Sequence, residues 1–109
     1  MLYDKRWDAK VAPKESKLVE DLKRARDMVS LRWCAKAGRD SFGGVCALIA
    51  INRSIGASHA EYLSGRDDAA EMFRLAIGWD NIPGWNDAPG RTRAEVVAAF
   101  DKAIELARA

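Results

Sequence analysis

The apolar positions Leu18, Leu22, Ala25, Val29 and Trp33 recur at spacings of four, three, four and four. That recurrence marks one face of an α-helix, with Lys17, Asp21 and Arg24 lying away from its centre. Pro13 suits the first residue of such a helix, where its missing N–H costs nothing. Ala37-Gly38 ends it, and residues 39–44 (Arg39-Asp40-Ser41-Phe42-Gly43-Gly44) read as a loop by composition. Residues 45–55 are apolar on every side, and periodicity alone does not separate a buried strand from a buried helix there. Two alanines, a leucine and the polar Asn52-Arg53 tail favour a central buried helix, stopped by Gly56.

Ser58 and Glu61 have the spacing of a capping box, which predicts a short helix over His59 to Leu63 before a Ser64-Gly65 break. Asp67 and Asp68 then stand where a helix N-terminus favours negative charge. Ala69, Met72, Phe73, Leu75, Ala76 and Ile77 supply the apolar side of that helix, and Gly78 closes it. Residues 79–91 form a turn-rich connection longer than the ordinary ~4–6 residues. Thr92 and Glu95 form a further capping box, opening a last helix with Val96, Val97, Phe100, Ala103, Ile104 and Ala107 on one face. The expected architecture is all-α. A polar arm over 1–12 precedes a single domain over 13–109, a bundle of about four helices with a long, ordered, Trp-rich loop before the last.

Composition changes this picture little. A chain of 109 residues, 49% hydrophobic and 31% charged, is globular and has room for one core. The longest apolar run, Val45 to Ile51, is far short of the ~20 residues that span a bilayer. The opening Met1-Leu2-Tyr3-Asp4-Lys5-Arg6-Trp7 lacks the apolar core of a signal peptide, so a cytoplasmic protein without membrane contact is expected. The net charge of +2 is unevenly placed: residues 1–40 hold eleven basic and seven acidic side chains, residues 41–109 seven and nine. Acids interrupt the basic half throughout, which favours a solvated mixed-charge surface over a nucleic-acid stripe.

Candidate chemistry is sparse. Cys46 stands at the start of the central helix, where a thiol pKa is lowered, and His59 then Asn86 or Asp87 follow in the order used by papain-like hydrolases. Yet His59 lies thirteen residues on, at the far end of the same helix, and Ala47-Leu48-Ile49-Ala50 reads as core. Catalysis is therefore the less favoured reading. Two cysteines and one histidine, with no C-x-x-C pair, do not make a zinc site, and no metal is expected. Cys34 and Cys46 could pair, but a reducing compartment is expected to keep both as structural thiols. No G-x-x-x-x-G-K-[ST] string occurs, so no nucleotide or other cofactor is implied.

Four tryptophans are many for this length, and Trp79 and Trp85 bracket the long loop. Asn86 and Asp87 can each bond backbone N–H groups two residues on, as Asx-turns. The loop is thus expected to bury Trp85, to bond Asn86 to main chain, and to leave Asp80, Asn81 and Arg91 on its outer rim. Trp79, Asp80, Asn81, Trp85 and Arg91 are the candidate binding residues.

Trp33 followed by Lys36-Ala37, Arg39-Asp40, Val45-Cys46-Ala47-Leu48 and Ala50-Ile51 make a further pattern. Its strongest part is Trp85-Asn86-Asp87-Ala88-Pro89-Gly90-Arg91-Thr92, leading to Glu95-Val96 and Ala103-Ile104. On these residues the chain resembles a family of small bacterial and phage-borne proteins, a domain of unknown function. The resemblance spans most of residues 18–107 and implies the helical fold; it implies no reaction. The expected function is a small module that binds another protein, such as a phage–host accessory or inhibitor. The alternatives are nucleic-acid association through the basic half and small-ligand binding at the Trp79–Arg91 loop.

Overall fold

In the structure, a computed structural model, residues 16–35, 44–56 and 68–109 are described. Five helices lie within them: α1 (Lys17–Arg32), α2 (Ala47–Ile55), α3 (Asp68–Ile77), α4 (Ile82–Asn86) and α5 (Arg93–Arg108). The all-α expectation holds. The segment 39–43, Asp67 and the helix expected over 59–63, with His59 and its Ser58–Glu61 box, lie outside the described residues, as do Pro13 and the arm.

Helix α1 ends earlier than its periodicity predicts. Ser16 is its N-cap, the hydroxyl accepting from the Val19 amide at 3.2 Å. Trp33, expected on the helix face, is instead its C-cap with extended backbone. The buried stripe runs Val19, Leu22, Ala25, Val29, so Val19 and not Leu18 is the first residue wholly inside. Asp21, read as peripheral, is buried between Lys17 and Arg24 on either side, with the Lys17 Nζ at 2.7 Å. Those two cations make its burial tolerable, since a lone carboxylate there would be strongly disfavoured.

Helix α1 packs along both α5 and α2, and α3 packs on α5 and also touches α1. The core of α5 is Val96, Phe100, Ala103 and Ile104, as its pattern predicts. Phe73 of α3 meets Phe100 with ring centroids 4.4 Å apart. Two such rings, wholly removed from water, each contribute on the order of 2–3 kcal/mol of transfer free energy. Leu75, expected on the apolar side of α3, is 65% exposed. The five-residue spacing from Ala70 puts it on the opposite side of the cylinder, so the helix buries Ala69, Ala70 and Phe73 instead.

Helix α2 bears out a central buried helix from Ala47 onward, after Val45 in an extended bridge and Cys46 as N-cap. Gly56 ends it with φ +67°, the left-handed region that glycine adopts without strain. Asn52 is the surprise within it. Expected in a polar tail, it is buried, and among the described residues neither polar atom of its side chain has a hydrogen-bond partner.

Candidate functional site

The strongest sequence motif, residues 85–92, falls on α4, the turn after it and the cap of α5. The connection 79–91 is ordered, but it is not the irregular loop the sequence suggests: it contains α4. Asn81 caps that helix, its Oδ1 accepting from the Gly84 amide at 3.0 Å, and Pro83 occupies the first turn. A methyl at Gly84 would sit 2.9 Å from the Asn81 amide nitrogen, so glycine is what lets the cap close over the backbone.

Asn86 ends α4 wholly buried, and its amide is saturated. The Oδ1 accepts from the Trp33 indole N–H at 2.6 Å and from the Ala47 amide at 3.0 Å. The Nδ2 donates to the Cys34 carbonyl at 3.3 Å and to the Asp87 carboxylate at 2.9 Å. Two donors at one end and two acceptors at the other fix the orientation of the amide. One side chain thereby joins the end of α1, the start of α2 and the end of α4. The bonds expected as Asx-turns to nearby backbone reach instead across 39 and 52 residues to main chain.

The next residue back, Trp85, is buried as expected and meets Phe73 edge-on, centroids 5.6 Å apart. Arg91 covers Trp85: its guanidinium carbon lies 3.9 Å from the ring centroid and its Nε donates to the Trp85 carbonyl at 2.9 Å. Arg91 is therefore half-buried and engaged with the scaffold, in a stack worth on the order of 1 kcal/mol. Gly90 turns the chain with φ +81°, and Thr92 then caps α5. Its capping box is complete, with Thr92 Oγ1 accepting from the Glu95 amide at 3.2 Å and Glu95 Oε1 accepting from the Thr92 amide at 2.9 Å. Trp85, Asn86, Arg91 and Thr92 of the motif thus each have partners inside the fold.

Trp33 and Val45 form an isolated parallel bridge, with Val45 N donating to the Arg32 carbonyl at 2.9 Å and Cys34 N to the Val45 carbonyl at 3.1 Å. Cys46 follows as the N-cap of α2, its Sγ accepting from the Ile49 amide at 3.5 Å. Burial pushes the Cys46 thiol above its ordinary range, outweighing the backbone N–H groups that favour the thiolate, and Asp87 adds to the rise. That is the environment of an inert thiol at neutral pH, not of an activated nucleophile. His59 lies outside the described residues. Among the described residues no group of three or more His, Cys, Asp and Glu side chains is placed to hold a metal ion.

The other candidate binding residues face outward. Trp79 is 50% exposed and the Asp80 carboxylate is fully so. Arg74 of α3 holds this turn, its Nε donating to the Asp80 carbonyl at 2.8 Å. Asn81 is exposed but spends its side chain on the α4 cap. The structure therefore divides the five candidates: Trp85, Arg91 and Asn81 bind the scaffold, while Trp79 and Asp80 stand at the surface, as does Leu75 near the end of α3. Sequence reasoning missed Leu75 as a surface residue and Asn86 as the centre of the scaffold. For Leu75, the count of five from Ala70 was the available signal.

Among the described residues no helix is long and apolar enough to cross a membrane. Neither a curated protein nor a solved structure matches the chain. A family model does match, over residues 13–106, and it takes in α1, the buried helix and the whole Trp85–Thr92 motif. The chain belongs to that family, DUF6197, a family of unknown function.

Proposed function

We propose that this chain is a small helical module that binds another protein through the rim at the end of α3, formed by Leu75, Trp79 and Asp80. One observation carries the reading: two large apolar side chains, 65% and 50% exposed, stand four residues apart on a backbone pinned by Arg74. Tryptophan held rigidly at a surface is the residue type that most often anchors a protein interface. The fully exposed Asp80 carboxylate borders Trp79, while Glu71 is paired with Arg74 at 3.1 Å. The matching partner is therefore an apolar patch with basic residues at its edge, and those charges act chiefly on the association rate.

The nucleic-acid alternative draws less support. Its cations were to come from the basic first half, but Lys17 and Arg24 engage Asp21, and Arg26 engages Asp27 and Asp101. A small-ligand site at residues 79–91 would need polar groups aimed at open space, whereas those of Asn81, Asn86 and Arg91 are engaged within the fold. A photo-crosslinking residue at Asp80, compared in the cell with one at Lys102, tests the reading. A discrete adduct is expected at position 80 alone, and it is lost on Leu75→Ser or Trp79→Ser without loss of folding. Identical adducts at both positions, or adducts indifferent to those substitutions, refute it.

A further inference from the structure

The two cysteines lie twelve residues apart in sequence, yet the fold sets them side by side. The parallel bridge pairs Trp33 with Val45, so Cys34 and Cys46 are the next facing residues on the two segments. Paired parallel segments run about 4.8 Å apart. That falls within the ~4.4–6.8 Å between α-carbons that a disulfide requires. Two residues that face each other across such a pair share a side of the ribbon, the side opposite to that of Trp33 and Val45, so both β-carbons project the same way. Both residues are thiols in this structure, Cys34 half-buried and Cys46 buried.

We propose that Cys34 and Cys46 are a redox-closed staple, oxidised to an internal disulfide by a small-molecule disulfide of the glutathione class. The order of events follows from exposure. The Cys34 thiolate attacks one sulfur of the oxidant, its S–S bond breaks, and a glutathione thiolate leaves. The Cys46 thiolate then attacks the Cys34 sulfur, the mixed disulfide breaks, and a second glutathione thiolate leaves. The protein gives up two electrons and two protons, and the two glutathione thiolates take up the protons. The bond ties the end of α1 to the N-cap of α2, beside the Cys34 carbonyl that Asn86 holds. Oxidation thus fastens by a covalent link a junction that the reduced protein holds by hydrogen bonds. The proposal is independent of the α3 rim.

The test uses the full chain, folded, with an excess of oxidised glutathione at mildly alkaline pH, read by intact mass and peptide mapping. Wild type is expected to lose the mass of two hydrogens, with Cys34 and Cys46 recovered in one cross-linked pair of peptides. Cys46→Ser is expected to stop at a glutathione adduct on Cys34. The oxidised wild type should melt several degrees higher in the absence of reductant, because the link closes a short loop in the unfolded chain. A stable glutathione adduct on wild-type Cys34, a disulfide between two chains, no reaction, or closure only in denaturant would each overturn the proposal.

Discussion

The indole N–H of Trp33 donates to Oδ1 of Asn86 across 2.6 Å of space and 53 residues of sequence. The same oxygen receives the Ala47 amide, so a single acceptor sets the angle between the end of α1 and the start of α2. A buried donor that loses its partner costs about 1–3 kcal/mol, and Asn86→Ala strands the Trp33 and Ala47 donors together. The expected loss is at least about 2 kcal/mol, read as a lower denaturation midpoint at unchanged slope. Trp33→Phe, which removes the N–H and part of the ring system but keeps an aromatic ring, should cost less, about 1–2 kcal/mol. Equal losses for the two variants would mean that ring packing, not the amide, holds the junction.

Thr92→Ala is expected to destabilise the domain by about 1 kcal/mol, the usual cost of an N-cap. The box places Glu95 Oε1 on the Thr92 amide, so Glu95→Gln should be nearly neutral and Glu95→Ala should not. Urea denaturation of the three variants checks the order.

Asn52 offers the opposite sign. Its side chain is buried on α2, and among the described residues neither polar atom is bonded. Replacing an unsatisfied buried amide by an apolar group of similar size removes a desolvation penalty. Asn52→Leu is expected to stabilise the fold by about 1 kcal/mol, measured by the same denaturation. A loss of stability would show that the amide has work to do in the native state.

Burial raises the Cys46 thiol, and the pH dependence follows from that direction. A group whose folded pKa lies above its unfolded value adds stability that is full below the unfolded value. That stability is lost as pH climbs through the elevated one. The Cys46 contribution is therefore intact at neutral pH and fades in the alkaline range. Iodoacetamide at neutral pH should modify half-buried Cys34 first, with Cys46 reacting at the rate of unfolding. Rapid labelling of native Cys46 would restore the nucleophile reading.

Much of the fold is written in residues whose partners are close in sequence. The Thr92–Glu95 box, Gly56 and the stripe of α5 each depend on contacts within a turn or two, and each is where its pattern puts it. Helix α4 escaped because five residues show no period; its signal was Asn81 as cap with Pro83 and Gly84 behind it. Trp33 misled because its spacing continues the α1 stripe, yet the Val45 bridge takes the chain out of the helix there. Asn86 was legible as buried and bonded to main chain. Which main chain was not legible, because nothing local in either segment encodes a contact 39 or 52 residues distant.

The account turns on the Trp85–Thr92 motif being a scaffold clasp, and native-state hydrogen exchange at the two donors to Asn86 tests it most directly. The Trp33 indole N–H and the Ala47 amide lie in the core of the junction. They are expected to exchange only through global unfolding, with protection as great as the slowest amides of α5. Asn86→Ala should abolish that protection at both donors, while Trp79→Ala should leave it untouched. Fast exchange at Trp33 and Ala47 in an otherwise protected wild-type fold would contradict the account, and would mean that residues 85–92 open to receive a ligand.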